Sequence, residues 1–175
     1  MVEIYENILT NLFDENYINF LLNEIEDKTF EGIGQKLNST KYNHYNYYNR
    51  YHLEIEDKYK KNIELFLYKT YNKKYTLKDK GIWINKITVN TNKTDVFHTD
   101  SSDLTIVTYL NDEYSGGEFE YIDQYNESIK IQTKKGLSLI MDDNLMHRVS
   151  PVLNGNRYSL VCFFNLVTKN EKTIT

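Results

Sequence analysis

The segment VFHTDSSDLTIVTYLND, residues 96–112, holds a histidine and an aspartate one residue apart, His98 and Asp100. Side chains alternate along a strand with a period of two, so this pair would point to one side. Two such side chains can be ligands of one metal ion. A lone H-x-D is a weak signal, because the triplet arises by chance on many surface strands. His147, which opens the strand-like HRVSPV, gives the pair its meaning. Two imidazoles and a carboxylate can fill three positions around a non-haem Fe(II) and leave the opposite three for substrates. The same donors can hold a catalytic zinc, so the ligand types alone leave both metals open. A thiolate site is excluded, since Cys162 is the only cysteine.

The segment GNRYSLVCFF separates these alternatives. Arg157 and Ser159 are again two apart and share one side of a strand. A guanidinium fork matches a carboxylate through two parallel charge-assisted hydrogen bonds, and a hydroxyl beside it can add a third. Taken alone, such an arginine would pair with an acid on the protein surface. Beside the triad it has a use that a zinc hydrolase lacks. A keto-diacid that chelates iron through its keto-acid end needs an anchor for its distal carboxylate.

The elements that must position these residues change character near residue 81. Before it, the spacing predicts helices. Ile8, Leu12, Phe13, Leu21, Leu22 and Ile25 recur at amphipathic spacing, with Thr10 or Asp14 as a candidate N-cap. Tyr59, Ile63, Phe66 and Leu67 repeat the pattern in a lysine-rich segment. After residue 81, short alternating runs stand between turn formers. Strands are expected at 82–90, 96–100, 104–111, 117–122, 128–133, 137–142, 147–152 and 157–165. Eight short strands closing on themselves suggest a jelly-roll barrel rather than a βαβ sheet. The expectation is one domain over 1–175 of the α+β class, mainly β: a helical flank over 1–80 and a jelly-roll core over 81–167.

Composition narrows the classes. The 175 residues are 40% hydrophobic and 26% charged, a globular balance. No apolar run approaches the ~20 residues of a membrane-spanning helix. The first residues, MVEIYENILT, carry acids where a secretory signal carries bases. With one cysteine, this points to an intracellular, cytoplasmic protein without a membrane partner. A net charge of -4 argues against a protein built mainly to grip phosphate backbones. The 16 tyrosines fit a compositional bias, and KYNHYNYYNRYH, 41–52, reads as a low-complexity loop rather than a substrate rim.

Over residues 81–167 the order HTD, YLND, GGEFEY and KKGLSLIMDDNLMHRVSPVLNGNRYSLVCFF resembles the 2-oxoglutarate- and Fe(II)-dependent oxygenases. The likeness is to the prolyl- and lysyl-hydroxylase-like branches. It implies a double-stranded β-helix, in agreement with the strands read above. It also implies Fe(II) on His98, Asp100 and His147, and 2-oxoglutarate on Arg157 with Ser159. Tyr109 sits where the prolyl-hydroxylase branch often places a tyrosine that reaches the same carboxylate. Its parity with Thr105 and Val107 suits an inward-facing row, though a packed strand aromatic has the same parity. Phe119 could face the pocket in the same way, and Gly116 and Gly117 suit a turn and a close backbone approach. Relatives often carry Tyr and Gly before H-x-D, where this chain reads TVNTNKTDVF, so the substrate side of the pocket does not carry over. Some collagen-type prolyl hydroxylases use Lys where Arg157 stands.

The resemblance implies hydroxylation of a C–H bond, with dioxygen as oxidant, succinate and carbon dioxide as co-products and ascorbate as a candidate reductant. A proline or lysine side chain of a protein or peptide is the leading substrate expectation. Nucleic acid or a small molecule is the alternative, and the lysine-rich stretch 58–80 would be the footprint a nucleic acid needs. A catalytically silent jelly-roll binding module is the remote third reading, disfavoured because no member of the triad is missing.

Overall fold

The computed structural model of the chain describes residues 2–6, 19, 23, 31–36, 45–52, 57–90 and 96–168, with backbone alone described for 5, 6, 31–36, 45–52 and 58. Eleven strands and one long helix are seen in it: β1 Val2–Glu6, β2 Glu31–Lys36, β3 Tyr45–His52, α1 Asp57–Tyr71, β4 Tyr75–Thr88, β5 Leu104–Tyr109, β6 Tyr114–Gly116, β7 Phe119–Ile122, β8 Ser128–Ile131, β9 Leu137–Asp142, β10 His147–Val149 and β11 Val152–Leu166. The major sheet runs β1-β9-β5-β11-β4-β3-β2, with β6 added on β11. The minor sheet runs β10-β7-β8. All pairings are antiparallel.

The major sheet is covered on both faces, and period two sorts its residues between them. Val107, Tyr109, Leu139, Met141 and Val161 face inward and pack with Phe119 of the minor sheet. Ile82, Ile84, Ile106, Ile140, Leu160, Cys162 and Phe164 face outward, where Tyr59, Ile63 and Leu67 of α1 cover them. Double coverage is why β5 is buried at every position instead of alternating. The helix follows its expected spacing. Asp57 lies in its first turn and Lys69 in its last, both favourable to the helix dipole. Asn72 ends it in the left-handed region, φ 51°, where its amide still bonds the Tyr68 carbonyl.

Several expectations require correction. Residues 45–52 of the tyrosine-rich tract form β3, paired with β2 and β4, not a loop. Tyrosine favours a pleated strand once partner strands are available, and β3 has one on each side. The flank over 1–80 is not wholly helical, since β1, β2 and β3 extend the major sheet. The change of character set at residue 81 falls inside β4. The helix expected over 8–25 lies outside the described residues, apart from Asn19 and Asn23, which are helical. Residues 153–156, expected as a turn, belong to β11, which shifts register between Val152 and Asn154.

Candidate active site

His98 does not lie in a strand, contrary to expectation. It meets the sheet through one isolated antiparallel bridge to His147. Its amide donates to the His147 carbonyl at 3.0 Å, and the His147 amide donates back at 2.9 Å. The two imidazoles are thereby brought to a centroid separation of 4.6 Å. Asp100 completes the group: one donor atom from each of the three residues lies within 4.8 Å of the others, and Asp100 Oδ2 is 3.8 Å from His147 Nε2. The geometry expected from strand parity is therefore reached by a loop bridged at a single residue.

The hydrogen bonds around this group prepare it for a cation. Nδ1 of His98 lies 2.9 Å from the Val96 carbonyl, and Nδ1 of His147 lies 2.9 Å from the Leu145 carbonyl. A carbonyl only accepts, so each Nδ1 carries the proton and each Nε2 carries the lone pair. On His147 that lone pair is the one nearest Asp100. The Thr105 hydroxyl donates to Asp100 Oδ2 at 2.7 Å, and Ser102 lies 2.8 Å from the Thr105 hydroxyl. Carbonyls behind imidazoles and a hydroxyl behind a carboxylate are the outer partners that orient metal ligands. A first-row ion bonding each donor at about 2.0–2.2 Å fits this cluster after small side-chain adjustment. Thr105 was not singled out by the sequence, because a threonine in a strand carries no signal of what its hydroxyl touches.

Arg157 and Ser159 of β11 and Tyr109 of β5 form a second group on the inner face. Ser159 is directly opposite Tyr109. All three are buried, and the Arg157 guanidinium carbon lies 4.7 Å from the centre of the Tyr109 ring. Arg157 Nη1 reaches the Ser159 hydroxyl at 3.5 Å, a long contact. Arg157 Nε and the Tyr109 hydroxyl have no hydrogen-bond partner, and Arg157 has no carboxylate partner among the described residues. A buried cation in this condition is costly, and an anion that brought acceptors would satisfy it. Burial pushes the Tyr109 phenol up, against the opposing pull of Arg157, so the hydroxyl remains a neutral donor.

Phe119 and Gly117 connect the two groups. The Phe119 ring is nearly parallel to His147, at 5.4 Å between centroids, and packs in the same inner cluster as Tyr109. Gly117 has φ +68°, and a Cβ built on it would lie 2.9 Å from Arg157 Cδ. The close approach expected of this glycine is thus to the stem of the buried arginine.

Residues 85–165 match the family model of the 2OG-Fe(II) oxygenase superfamily. Over that segment, which carries His98, Asp100, His147, Arg157 and Ser159, the chain is similar to the superfamily. Its members use Fe(II) and 2-oxoglutarate, and the two groups described above have donor sets suited to each. Solved structures share the fold. An oxidoreductase of the 2OG-Fe(II) oxygenase family from Burkholderia pseudomallei aligns with a TM-score of 0.69 at 15% identity, over 94% of this chain and 84% of that one. A Trichoplax adhaerens prolyl hydroxylase, solved with a peptide fragment of the hypoxia inducible factor oxygen degradation domain, aligns at 0.67 and 16%, over 94% and 83%. The viral collagen prolyl hydroxylase of Paramecium Bursaria Chlorella virus-1, solved with 2OG, aligns at 0.59 and 18%, over 95% and 96%. Among curated proteins, no sequence matches the chain. The double-stranded β-helix expected from the sequence is the observed fold, and the enzyme class expected is that of the superfamily. No helix among the described residues is long and apolar enough to cross a membrane.

Proposed function

We propose that this protein is an Fe(II)- and 2-oxoglutarate-dependent dioxygenase that hydroxylates a C–H bond on a proline or lysine side chain of a protein or peptide. His98, Asp100 and His147 hold the metal, and Arg157 with Ser159 and Tyr109 holds the distal carboxylate of 2-oxoglutarate. The observation that carries this reading is the buried Arg157, which has no acidic partner among the described residues and shares an interior with the triad. A metal site alone would suit many chemistries. A metal site beside a buried, unsatisfied carboxylate fork suits a chelating diacid.

When bound, the metal and 2-oxoglutarate supply the oxidising equivalents from dioxygen, leaving succinate and carbon dioxide, with ascorbate available as reductant. The chain's own residues do the positioning. Carbonyls of Val96 and Leu145 fix the histidine tautomers, and Thr105 fixes the Asp100 carboxylate. The Arg157 fork and the Tyr109 hydroxyl orient the diacid, while Phe119, Tyr109 and Val107 exclude water from around it. Phe119 also fixes the ring plane of His147.

Peptide ranks above nucleic acid for a reason of placement. The lysines of α1 ride on a helix that packs on the outer face of the major sheet, whereas Arg157 lies with Tyr109 on its inner face and the triad is built on the minor sheet. The lysines of α1 are therefore behind the sheet, while Lys78 of the same stretch donates to the Ser101 carbonyl at 2.7 Å, beside Asp100, and is the one basic side chain of 58–80 seen at the site among the described residues. Succinate release against a panel of proline- and lysine-containing peptides, nucleic acids and free amino acids tests the proposal. A peptide should stimulate turnover and gain the mass of one oxygen. Stimulation by nucleic acid alone would overturn the ranking, and no 2-oxoglutarate-dependent succinate release with any substrate class would overturn the proposal itself.

A further inference from the structure

The bridge between His98 and His147 fixes more than these two residues. Its register puts Phe97 opposite Arg148, and the pairing of β10, β7 and β8 carries that row on to Glu120 and Lys130. The side chains follow the row. The Arg148 guanidinium carbon lies 4.4 Å from the centre of the Phe97 ring. Arg148 Nε and Nη2 each donate to Glu120 Oε2 at 2.6 Å. Lys130 Nζ is 2.9 Å from the other carboxylate oxygen. The Glu120 side chain is 2% exposed and the Lys130 side chain 61%, so the carboxylate is a buried post and the lysine covers its outer end.

We propose that Arg148 is a positioning residue for the metal centre: held on Glu120, its guanidinium clamps Phe97 and so fixes how His98 faces His147. The proposal rests on the reading of His98, Asp100 and His147 as metal ligands. The physical argument is one of leverage. Among the described residues, the segment 96–100 has no sheet pairing except the single bridge, and one residue's pair of hydrogen bonds permits rotation about them. Phe97 and His98 are adjacent, and the bridge directs them to opposite faces of the minor sheet. Pressing Phe97 from the outer face therefore resists rotation of His98 on the inner one. Arginine suits this because its fork engages the carboxylate while its flat face stays free to stack on a ring. Lysine could keep the charge against Glu120 but could not stack.

The test is uptake of Co(II) by the full chain under anaerobic conditions, followed by the ligand-field absorption of the bound ion. Arg148→Lys keeps a cation against the buried Glu120, and Phe97→Leu leaves that ion pair untouched, so both variants should fold. Each is expected to raise the Co(II) dissociation constant about tenfold, the scale of losing an outer support of a metal ligand. Lys130→Met removes the other cation on Glu120 without touching Phe97 and should bind Co(II) like the wild type. Wild-type affinity in both Arg148→Lys and Phe97→Leu overturns the positioning role. An equal loss in Lys130→Met also overturns it, because the effect would then be general loosening of the sheet. If wild-type protein takes up no Co(II), or His98→Ala takes it up equally well, the metal-centre reading fails and this inference with it.

Discussion

The guanidinium carbon of Arg157 lies 4.7 Å from the centre of the Tyr109 ring, and the Arg157 Nε and Tyr109 hydroxyl beside that contact both lack hydrogen-bond partners among the described residues. A positive charge, a neutral phenol donor and the Ser159 hydroxyl thus converge in a water-poor interior. The pairing of β5 with β11 enforces this convergence, because Tyr109 and Ser159 are directly opposed and Arg157 is two residues along from Ser159.

Arg157→Ala removes both arms of the fork and should cost 2-oxoglutarate binding about 2–5 kcal/mol. Arg157→Lys, which keeps the charge without the fork, should fall between it and the wild type. Tyr109→Phe removes one donor and keeps the ring, at about 0.5–1.5 kcal/mol. Calorimetric titration of 2-oxoglutarate into Mn(II)-loaded protein measures all three. Unchanged affinity in both Arg157 variants would remove the arginine from the site.

Asp100 is oriented by the Thr105 hydroxyl, which donates to it at 2.7 Å. Asp100→Ala should abolish metal-dependent turnover and leave the barrel folded, since Asp100 lies outside the strands. Thr105→Val keeps the shape and removes the donor, so metal affinity should drop about tenfold. Wild-type turnover of Asp100→Ala in added Fe(II) would be incompatible with the triad.

The residues of the candidate site stood out in the sequence more clearly than the pairing of the strands that carry them. His98, Asp100, His147, Arg157 and Ser159 are legible because few residue types can do this chemistry and their order is informative. The strand argument for His98 and Asp100 nonetheless had the wrong cause, since a loop bridged at one residue brings them together. The contact of Thr105 with Asp100 and the place of Arg148 were not legible, because they depend on what lies across a fold and not on neighbours in the chain. Strand β1 escaped for a similar reason: it pairs with β9, whose residues lie more than a hundred positions later. Local pattern carries no information about such a partner.

Glu120 gives the minor sheet a defined response to acid. Burial works to raise its carboxyl, but hydrogen bonds from Lys130 and Arg148 outweigh it and hold the group below its ordinary value. Its affinity for a proton is thus lower in the folded state than in the unfolded chain. The stability this contributes is fully present above the unfolded value, about 4.5, and is lost as pH falls through the depressed folded value. Glu120→Gln should lower the urea midpoint at pH 7 and flatten its decline below pH 4.5. Parallel acid profiles for variant and wild type would show that Glu120 does not drive this response.

The placement of α1 makes a prediction about substrate class. Its apolar stripe of Tyr59, Ile63 and Leu67 packs on the outer face of the major sheet, Lys61 and Lys69 of the helix are exposed, and Lys73 and Lys74, just after its end, are exposed as well. A peptide entering on the inner face does not meet them. Neutralising Lys73 and Lys74 to Gln should therefore change peptide-stimulated succinate release by no more than about twofold, the scale of an ordinary surface substitution. Turnover with peptide should also vary little between low and physiological salt. A nucleic-acid substrate would behave otherwise, because each phosphate contact releases counterions and affinity falls steeply as salt rises. If the double variant loses most of its turnover, or if salt suppresses turnover steeply, the basic face takes part in substrate capture and a polyanion replaces the peptide as the favoured substrate.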